Sequence, residues 1–317
     1  MAVMREEDLF TFVSNDSIES EKIIAPRYSY WRSVFRVFFR KKTNWFVIGL
    51  LVMLLLCSFL IPLFCKYDPY ENVTVATMYN QSPLQAMKAT GGFSFKWILG
   101  SGQLGNSIFY GIWASARTSL LLAMICAAIN MSIGIVMGAV WGYSKTVDKF
   151  MLVVYSIIAN VPYILLISVL VYIIGSGFWS FVFALTITGW LGISYFFRTQ
   201  VMIIRDREYS LASRCLGTPI PRIISKNILP FLTSVIVTLL ASELPSYISM
   251  EVFLSYIGIG LSASVPSLGR MIQEGQVAFK SYPWAFWPPV AIAALLTIIL
   301  YVLGQNLADA TDPRTHM

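Results

Sequence analysis

The segment RDREYSLASRCLGTPIPRIISKNILP, residues 205–230, is a polar and net-basic island between long apolar runs. Asp206 can cap a helix here, and Glu208 then lies in the positive first turn of that helix. An apolar stripe at helical spacing follows, made of Leu211, Ala212, Cys215 and Leu216. Gly217 comes next, at the position where a left-handed residue commonly ends a helix. The pattern predicts a short amphipathic helix that ends at Gly217.

The second half of the segment predicts another short helix. Thr218 is pushed out of the α region by the proline that follows it. It therefore suits a cap, with Pro219 as the first helical residue. One side of this helix carries Ile220, Ile223, Ile224 and Ile228. We expect the helix to end before Pro230, and by periodicity alone the whole segment is a basic loop between two membrane helices.

The composition places the chain in the membrane class. Its 317 residues are 57% hydrophobic and 12% charged, whereas soluble domains carry about 25% charged residues. The net charge of +7 fits cytoplasmic loops that hold Lys and Arg. Nucleic-acid binding is disfavoured because the basic residues are scattered between apolar spans. The first twenty residues are acidic and lack the apolar core of a cleavable signal peptide.

Six predominantly apolar stretches reach the length of about 20 residues that a spanning helix needs. The pair within 150–197 is separated by a tight outer turn at 175–177. The six are 43–65, 118–144, two within 150–197, 231–256 and 284–308. With both termini in the cytoplasm, 17 of the 23 Lys and Arg residues fall inside and 6 outside. This bias agrees with the positive-inside rule and places residues 205–230 on the cytoplasmic side.

Residues 28–42, YSYWRSVFRVFFRKK, form an amphipathic pattern ahead of the first span. Arg32, Arg36 and Arg40 share one helical face. Trp31, Phe35, Phe38 and Phe39 fall on another. The pattern is typical of a helix lying among lipid headgroups. Ordinary juxtamembrane basic residues are the equal alternative, and both interpretations place the tail in the cytoplasm.

Glu208, Ala212 and Gly217, followed by Ile228-Leu229-Pro230, resemble the EAA loop of the membrane subunits of ATP-binding-cassette importers. That loop usually reads Glu-Ala-Ala, three residues, Gly, nine residues, Ile-x-Leu-Pro. This chain departs from it at Tyr209 and Ser210. Peptide-transporting members often have a bulky residue after the Glu.

Three further stretches resemble C-type permease subunits of oligopeptide and dipeptide importers, in particular those of Gram-positive cocci. They are LGSGQLGNSIF (99–109) with ARTSL (116–120), EVFLSYIGIG (251–260) with PSLG (266–269), and GQNLADA (304–310) with DPR (312–314). In the first of them, Gly102, Asn106 and Ser107 replace charged residues of the family pattern. With the EAA-like loop, the resemblance runs from about Trp31 to the C-terminus.

The resemblance implies an all-α integral membrane protein with the type I ABC importer permease fold. This fold has six transmembrane helices, here with a cytoplasmic coupling-helix loop and an amphipathic N-terminal tail. The expected organisation follows the chain. It is a cytoplasmic tail with an interfacial helix (1–43), a first transmembrane helix (44–65), an extracellular loop (66–116), a core permease domain of five transmembrane helices (117–308, with the EAA-like loop at 205–230), and a cytoplasmic C-terminus (309–317).

The same resemblance implies partner subunits, which bind ATP while this chain spans the membrane. The chain contains no Gly-x-x-x-x-Gly-Lys-Ser/Thr motif that would cradle ATP phosphates. We therefore expect no cofactor on this chain, and ATP and Mg on partner subunits. The expected partners are a second homologous permease subunit, two ATPase subunits, an extracellular lipid-anchored peptide-binding protein, the peptide substrate and membrane lipid. The expected location is the bacterial cell membrane.

Two sets of candidate residues follow. The ATPase-coupling set is Glu208, Leu211, Ala212, Cys215, Leu216 and Gly217, because its apolar stripe suits a hydrophobic groove and Glu208 suits a basic partner. The translocation-path set is Asn160, Tyr163, Glu243 and Glu251. Charged residues at membrane depth usually face a cavity, and the two acids, eight residues apart, are expected on one helical face. The alternative for Glu243 is a structural pair with an Arg of the partner subunit. For Glu251 a position near the outer surface is favoured.

Other function classes remain as alternatives. A permease for dipeptides or nickel shares these motifs, although no Cys, His or Asp cluster in the spans suggests metal. A secondary transporter should show an internal repeat with interrupted half-helices, and no clear repeat is visible. An enzyme is disfavoured because no nucleophile–base or metal constellation occurs. The four cysteines form no disulfide framework, and His316 has no partner pattern.

Overall fold

The computed structural model describes residues 29–72 and 75–312 of the chain. Residues 1–28, Arg314 and His316, on which some of the sequence predictions rest, lie outside the described residues. Within the described part, secondary structure is helical and no strand occurs. The helices are α1 Tyr30–Arg40, α2 Lys42–Phe64, α3 Pro83–Ala89, α4 Ile108–Tyr143, α5 Lys145–Ala159, α6 Tyr163–Ile174, α7 Phe178–Thr186, α8 Gly189–Arg205, α9 Glu208–Cys215, α10 Ile220–Ile223, α11 Thr233–Tyr256, α12 Leu268–Val277 and α13 Trp287–Thr311.

The spans agree in number with the sequence prediction when one bent pair is counted as a single crossing. In the described part, five helical segments are long and apolar enough to cross a membrane. They are Lys42–Phe64, Ile108–Tyr143, Phe178–Arg205, Ile220–Tyr256 and Pro283–Thr311. The pair α5 and α6 passes the same test together and is bent by 78°. Asn160 and Pro162 lie at this bend, as the sequence predicts, because a proline ring cannot continue the preceding helix.

Helix α4 does not begin after residue 116, where the sequence places the end of the extracellular loop. The long helix α4 begins at Ile108, inside the stretch assigned to the extracellular loop. Ser107 starts it, since its side chain accepts a hydrogen bond from the backbone N–H of Tyr110 at 3.3 Å. The last helix likewise continues to Thr311 rather than to 308.

Helix α4 lies at the centre of the fold and contacts α8 closely along its length. Gly134, Gly138 and Gly142 recur every four residues on the contacting face of α4. A Cβ atom at Gly138 would lie 2.7 Å from the carbonyl oxygen of Ser194 in α8. The hydroxyl of Ser194 in turn donates to the carbonyl of Gly134 at 3.1 Å. Small residues let membrane helices approach to backbone contact in this way.

The outer segment between α2 and α4 folds as a cap. Ser82 and Gln85 form a capping box at the start of α3. The amide of Gln103 donates to the carbonyl of Glu274 in α12 at 2.7 Å. Of the aromatic residues at 93, 95 and 97, Phe93 and Phe95 are exposed and Trp97 is buried, so Phe93 and Phe95 are accessible to another protein and Trp97 is not.

Helix α1 packs against the end of α13 rather than standing alone. Val34 and Phe38 are buried and share an apolar cluster with Ala310. The hydroxyl of Tyr30 donates to the carbonyl of Thr311 at 2.7 Å. Its arginine face and an aromatic face with Trp31, Phe35 and Phe39 are both exposed. Phe38, predicted on the aromatic face, is instead part of the contact with α13.

We predict that Gly138→Ala lowers the melting temperature of the detergent-solubilised protein, because the added methyl group has no room against α8. The matched control is Gly49→Ala in α2, where nothing lies within 4 Å of the added atom. This control should be neutral or slightly stabilising, since alanine favours helices by about 1 kcal/mol over glycine. Equal melting temperatures of the two variants would contradict the close contact.

Candidate functional site: a docking helix and a polar path

Helix α9 ends as its sequence predicts. Gly217 has φ +75, and the N–H groups of Thr218 and Gly217 donate to the carbonyls of Ser213 and Arg214. This is the Schellman arrangement, which places a left-handed residue after the helix. The start differs from the prediction. Arg207 is the N-cap and makes no side-chain cap bond.

Asp206 is therefore not the cap, because its carboxylate is engaged elsewhere. It accepts two hydrogen bonds from the Arg205 guanidinium, at 2.9 and 3.1 Å. These bonds hold the pKa of the Asp206 carboxyl below its usual value. The same guanidinium donates to the carbonyl of Gly142 at the end of α4, so the pair fixes the exit of α8 against α4.

All six residues of the predicted coupling set are exposed. They are Glu208, Leu211, Ala212, Cys215, Leu216 and Gly217. Leu216 is 86% exposed and Leu211 is 45% exposed, which is unusual for leucines in a polar segment. The structure thus brings these six residues together on one accessible surface.

The opposite face of α9 is held against the start of α11. The amide of Asn227 donates to the hydroxyl of Ser213 at 2.7 Å. The rings of Tyr209 and Phe231 lie 5.1 Å apart. These two contacts join α9 to the chain that leads into α11.

The second helix of the segment does not end before Pro230, contrary to the prediction. Residues Ile224–Ile228 are wound as a π-helix and Leu229–Leu232 as a 3-10 helix, and α11 follows at once. Proline has no N–H to donate, so Pro230 removes one backbone hydrogen bond that an α-helix would make here. The change from π-helical to 3-10-helical winding accommodates the missing hydrogen bond. The chain therefore stays helical from Ile220 to Tyr256.

Two of the four predicted path residues line one cavity. Tyr163 and Glu243 face a space of about 300 Å³ together with Thr188, Ser246 and Tyr247. The hydroxyl of Tyr163 donates to the carbonyl of Leu185 at 3.0 Å. Glu243 is half-buried and is the carboxylate of this cavity. The site can therefore take a cationic or hydrogen-bond-donating group.

The other two path candidates lie elsewhere. Asn160 borders an exposed surface pocket beside Ser156 and donates to the carbonyl of Ser156. Glu251 is fully buried. It accepts hydrogen bonds from Ser119 at 2.7 Å and Ser255 at 2.9 Å, and Ser119 accepts the N–H of Leu268 at 3.1 Å. Glu251 thus joins α4, α11 and α12, and the two acids expected on one face have different surroundings.

Residues 130–317 match the family described as binding-protein-dependent transport system inner membrane component. Residues 29–83 match the N-terminal transmembrane domain of oligopeptide transport permease C. The chain belongs to this family of transport-system inner membrane components. It is a permease subunit and a multi-pass membrane protein of the bacterial membrane, with the type I ABC importer permease fold.

Curated relatives of this permease extend over nearly its whole length. The oligopeptide transport system permease protein AmiD of Streptococcus pneumoniae is 44% identical over 98% of both chains. The oligopeptide transport system permease protein OppC of Bacillus subtilis is 28% identical over 97% of both. The dipeptide transport system permease protein DppC of Bacillus subtilis is 35% identical over 68% of both.

Sequence reasoning missed two contacts that support the site of this permease. Asp148 of α5 accepts hydrogen bonds from Arg198 of α8 and from the indole of Trp141 at 2.8 Å. The sequence reasoning also missed the close contact of Gly134, Gly138 and Gly142 with α8. Their spacing of four is a signal for close helix contact, whereas nothing local in the sequence pairs Asp148 with Arg198.

We predict different outcomes for the two acids of α11. Glu251→Ala should clearly lower the melting temperature of the purified permease in detergent, because it leaves the buried Ser119 and Ser255 hydroxyls without their acceptor. Each such group costs about 1–3 kcal/mol. Glu243→Ala is the control and should melt close to wild type, since its carboxylate faces a cavity. The opposite order of stability would contradict this assignment.

Proposed function

We propose that this chain is the transmembrane permease subunit of an ATP-driven oligopeptide importer. It forms half of the translocation pore, and ATPase subunits in the cytoplasm drive it between inward-open and outward-open states. Of the relatives that span nearly its whole length, AmiD at 44% identity and OppC at 28% are oligopeptide permeases by name, whereas a dipeptide permease that spans 96% of the chain is 27% identical. A dipeptide permease matches 68% of the chain, so dipeptide uptake is the nearer alternative. Nickel uptake is a further one.

The observation that carries this proposal is the exposed surface of α9. With Leu211 and Leu216 exposed, α9 has an apolar face that no other residue in the described part of the chain covers. The chain continues without a break from residue 220 into α11, which borders the Glu243 cavity. A protein docked on α9 can therefore move a wall of the path. An ATPase that closes and opens on ATP is the partner that such a coupling requires.

The proposed assembly has four kinds of partner. A second, homologous permease subunit completes the pore, and two ATPase subunits bind ATP and Mg and dock on the coupling segments. A lipid-anchored binding protein delivers peptide to the outer face. Exposed Phe93 and Phe95 of the outer segment are available for that contact. Both termini of the permease lie in the cytoplasm, so α9 is on the ATPase side.

The proposal is tested by isolating this permease from its own cells in mild detergent and identifying what is bound to it by mass spectrometry. We expect a second permease, ATPases and a binding protein, with ATPase activity that short peptides stimulate. Comparing peptides of several lengths, and nickel, decides between oligopeptide, dipeptide and metal uptake. Recovery of the chain alone, without ATPase activity, would reject the importer.

We predict that Gly217→Leu leaves the complex assembled but uncouples peptide uptake from ATP hydrolysis. A leucine strains the left-handed backbone at φ +75 and disturbs the end of the docking helix. The matched control is Gly91→Leu, because Gly91 also has positive φ, +83, and nothing lies within 4 Å of its added Cβ. Uptake and ATPase rate are measured in proteoliposomes. Normal uptake by Gly217→Leu, or equal loss in both variants, would contradict the coupling role.

We predict that Glu243→Gln slows the uptake of peptides with a free N-terminal amine. A hydrogen bond between charged groups contributes about 1.5–3 kcal/mol, so a loss of roughly ten-fold is expected. Uptake of N-acetylated peptides should change much less, because they carry no ammonium group. If both peptides slow by the same factor, Glu243 does not bind the amine.

A further inference from the structure

A polar cavity of about 670 Å³ lies between α8, α11 and α13, apart from the Glu243 cavity. Helix α11 supplies hydroxyl groups to it, and the flanking helices supply two amides. Carboxylates lie at its end, where α13 terminates. The polar side chains that line it are Ser234, Thr238, Ser242, Gln200, Gln305, Asp309 and Asp312.

The hydroxyl row of α11 continues beyond this cavity. Ser242 also borders a second cavity of about 410 Å³, which Ser246 and Ser249 line as well. Ser246 in turn borders the Glu243 cavity. The row Thr238, Ser242 and Ser246 therefore connects all three spaces along one helix.

Each of these three hydroxyls already donates its proton to a backbone carbonyl of its own helix. Thr238 donates to the carbonyl of Ser234 at 2.9 Å and Ser246 to that of Ser242 at 2.7 Å. Ser242 donates to the carbonyl of Leu239 at 3.0 Å. What each hydroxyl still offers to the cavity is its oxygen lone pairs. The row is consequently a series of hydrogen-bond acceptors.

The exposed surface of α11 contrasts with a surface that suits lipid. Helix α2 exposes large apolar side chains over most of its length, among them Phe46, Val52, Met53, Leu56 and Leu63. On α11, Thr238, Ser246 and Ser249 are exposed as well as Leu240 and Phe253. Polar groups in membrane segments characteristically face a bundle interior or a water-filled cavity, so this face of α11 is part of the path.

The spacing of the row matches an extended peptide. Four residues of α-helix rise about 6 Å, and the N–H groups on one side of an extended chain repeat about every 6.6–6.8 Å. The row drifts by about 40° at each step, so its three hydroxyls stay within one quadrant of the helix. Gln200 and Gln305 stand on the flanking helices with amides that both donate and accept, which suits the carbonyl groups of the same peptide.

We propose that the row Thr238, Ser242 and Ser246 accepts hydrogen bonds from alternate backbone N–H groups of an extended peptide in transit. The inference rests on the proposed function and adds the chemical feature that the path recognises. Recognition lies in the peptide backbone, so side chains of any kind can pass. A substrate without backbone N–H donors should pass slowly.

The test uses the complete transporter in proteoliposomes, with peptide preloaded on the binding protein. The probes are penta-alanine and an analogue methylated at alternate backbone nitrogens. The variant is Thr238→Val with Ser242→Ala, which removes two acceptors at nearly constant volume. Ser156→Ala is the matched control, because the exposed Ser156 of α5 makes the same type of bond to its own helix, to the carbonyl of Leu152 at 2.8 Å, and lines none of these three cavities. Thr238→Ser, which keeps the hydroxyl, should behave as wild type.

We expect wild type and both control variants to import penta-alanine faster than its methylated analogue. In the double variant this preference should shrink by at least roughly 5-fold, as expected for two lost hydrogen bonds of about 0.5–1.5 kcal/mol each. Slower uptake of both probes with an unchanged preference would overturn the inference and leave the importer intact. Failure of the wild-type complex to import any alanine peptide, whatever its length, would overturn the proposed function and this inference together.

Discussion

Three glycines on one face of α4 bring its backbone against α8, and the other parts of the structure depend on that contact. At Gly134 and Gly142, as at Gly138, an added Cβ atom would lie within 3 Å of atoms of α8. This proximity puts Arg198 beside Asp148 and lets Arg205 reach the carbonyl of Gly142. The end of α8, and with it the start of the docking helix, is therefore fixed by packing deep in the bundle.

Helix α11 is positioned by buried polar contacts on one side and left accessible on another. Glu251 ties its outer part to α4 and α12, and the amide of Asn130 in α4 donates to the hydroxyl of Tyr247. Such bonds are costly to break away from water, because the groups would be left without partners. The helix is held on this side while its hydroxyl face borders open space. One element thus combines a rigid support with a polar wall.

Much of the architecture could be predicted from composition and local chemistry. The six crossings follow from hydropathy, and the end of α9 follows from Gly217, because both depend on neighbours in the chain. The helical winding through Pro230 and the start of α4 at Ile108 could not be predicted, since the local sequence at both places is compatible with more than one helix boundary. The burial of Glu251 depends on Ser119, more than a hundred positions away. Likewise, only the tertiary fold separates Asn160 from the cavity that Tyr163 and Glu243 share.

The winding of residues 224–228 sets the rotational phase of everything that follows it in α11. A π-turn accommodates one residue more than the α-helical winding around it. Each α-helical residue advances the chain by about 100° in rotation and about 1.5 Å along the axis. Rewinding this one turn as α-helix would rotate α11 relative to α9 by about that angle. In this segment, one residue more or less in the winding would therefore decide which side of α11 faces the cavities.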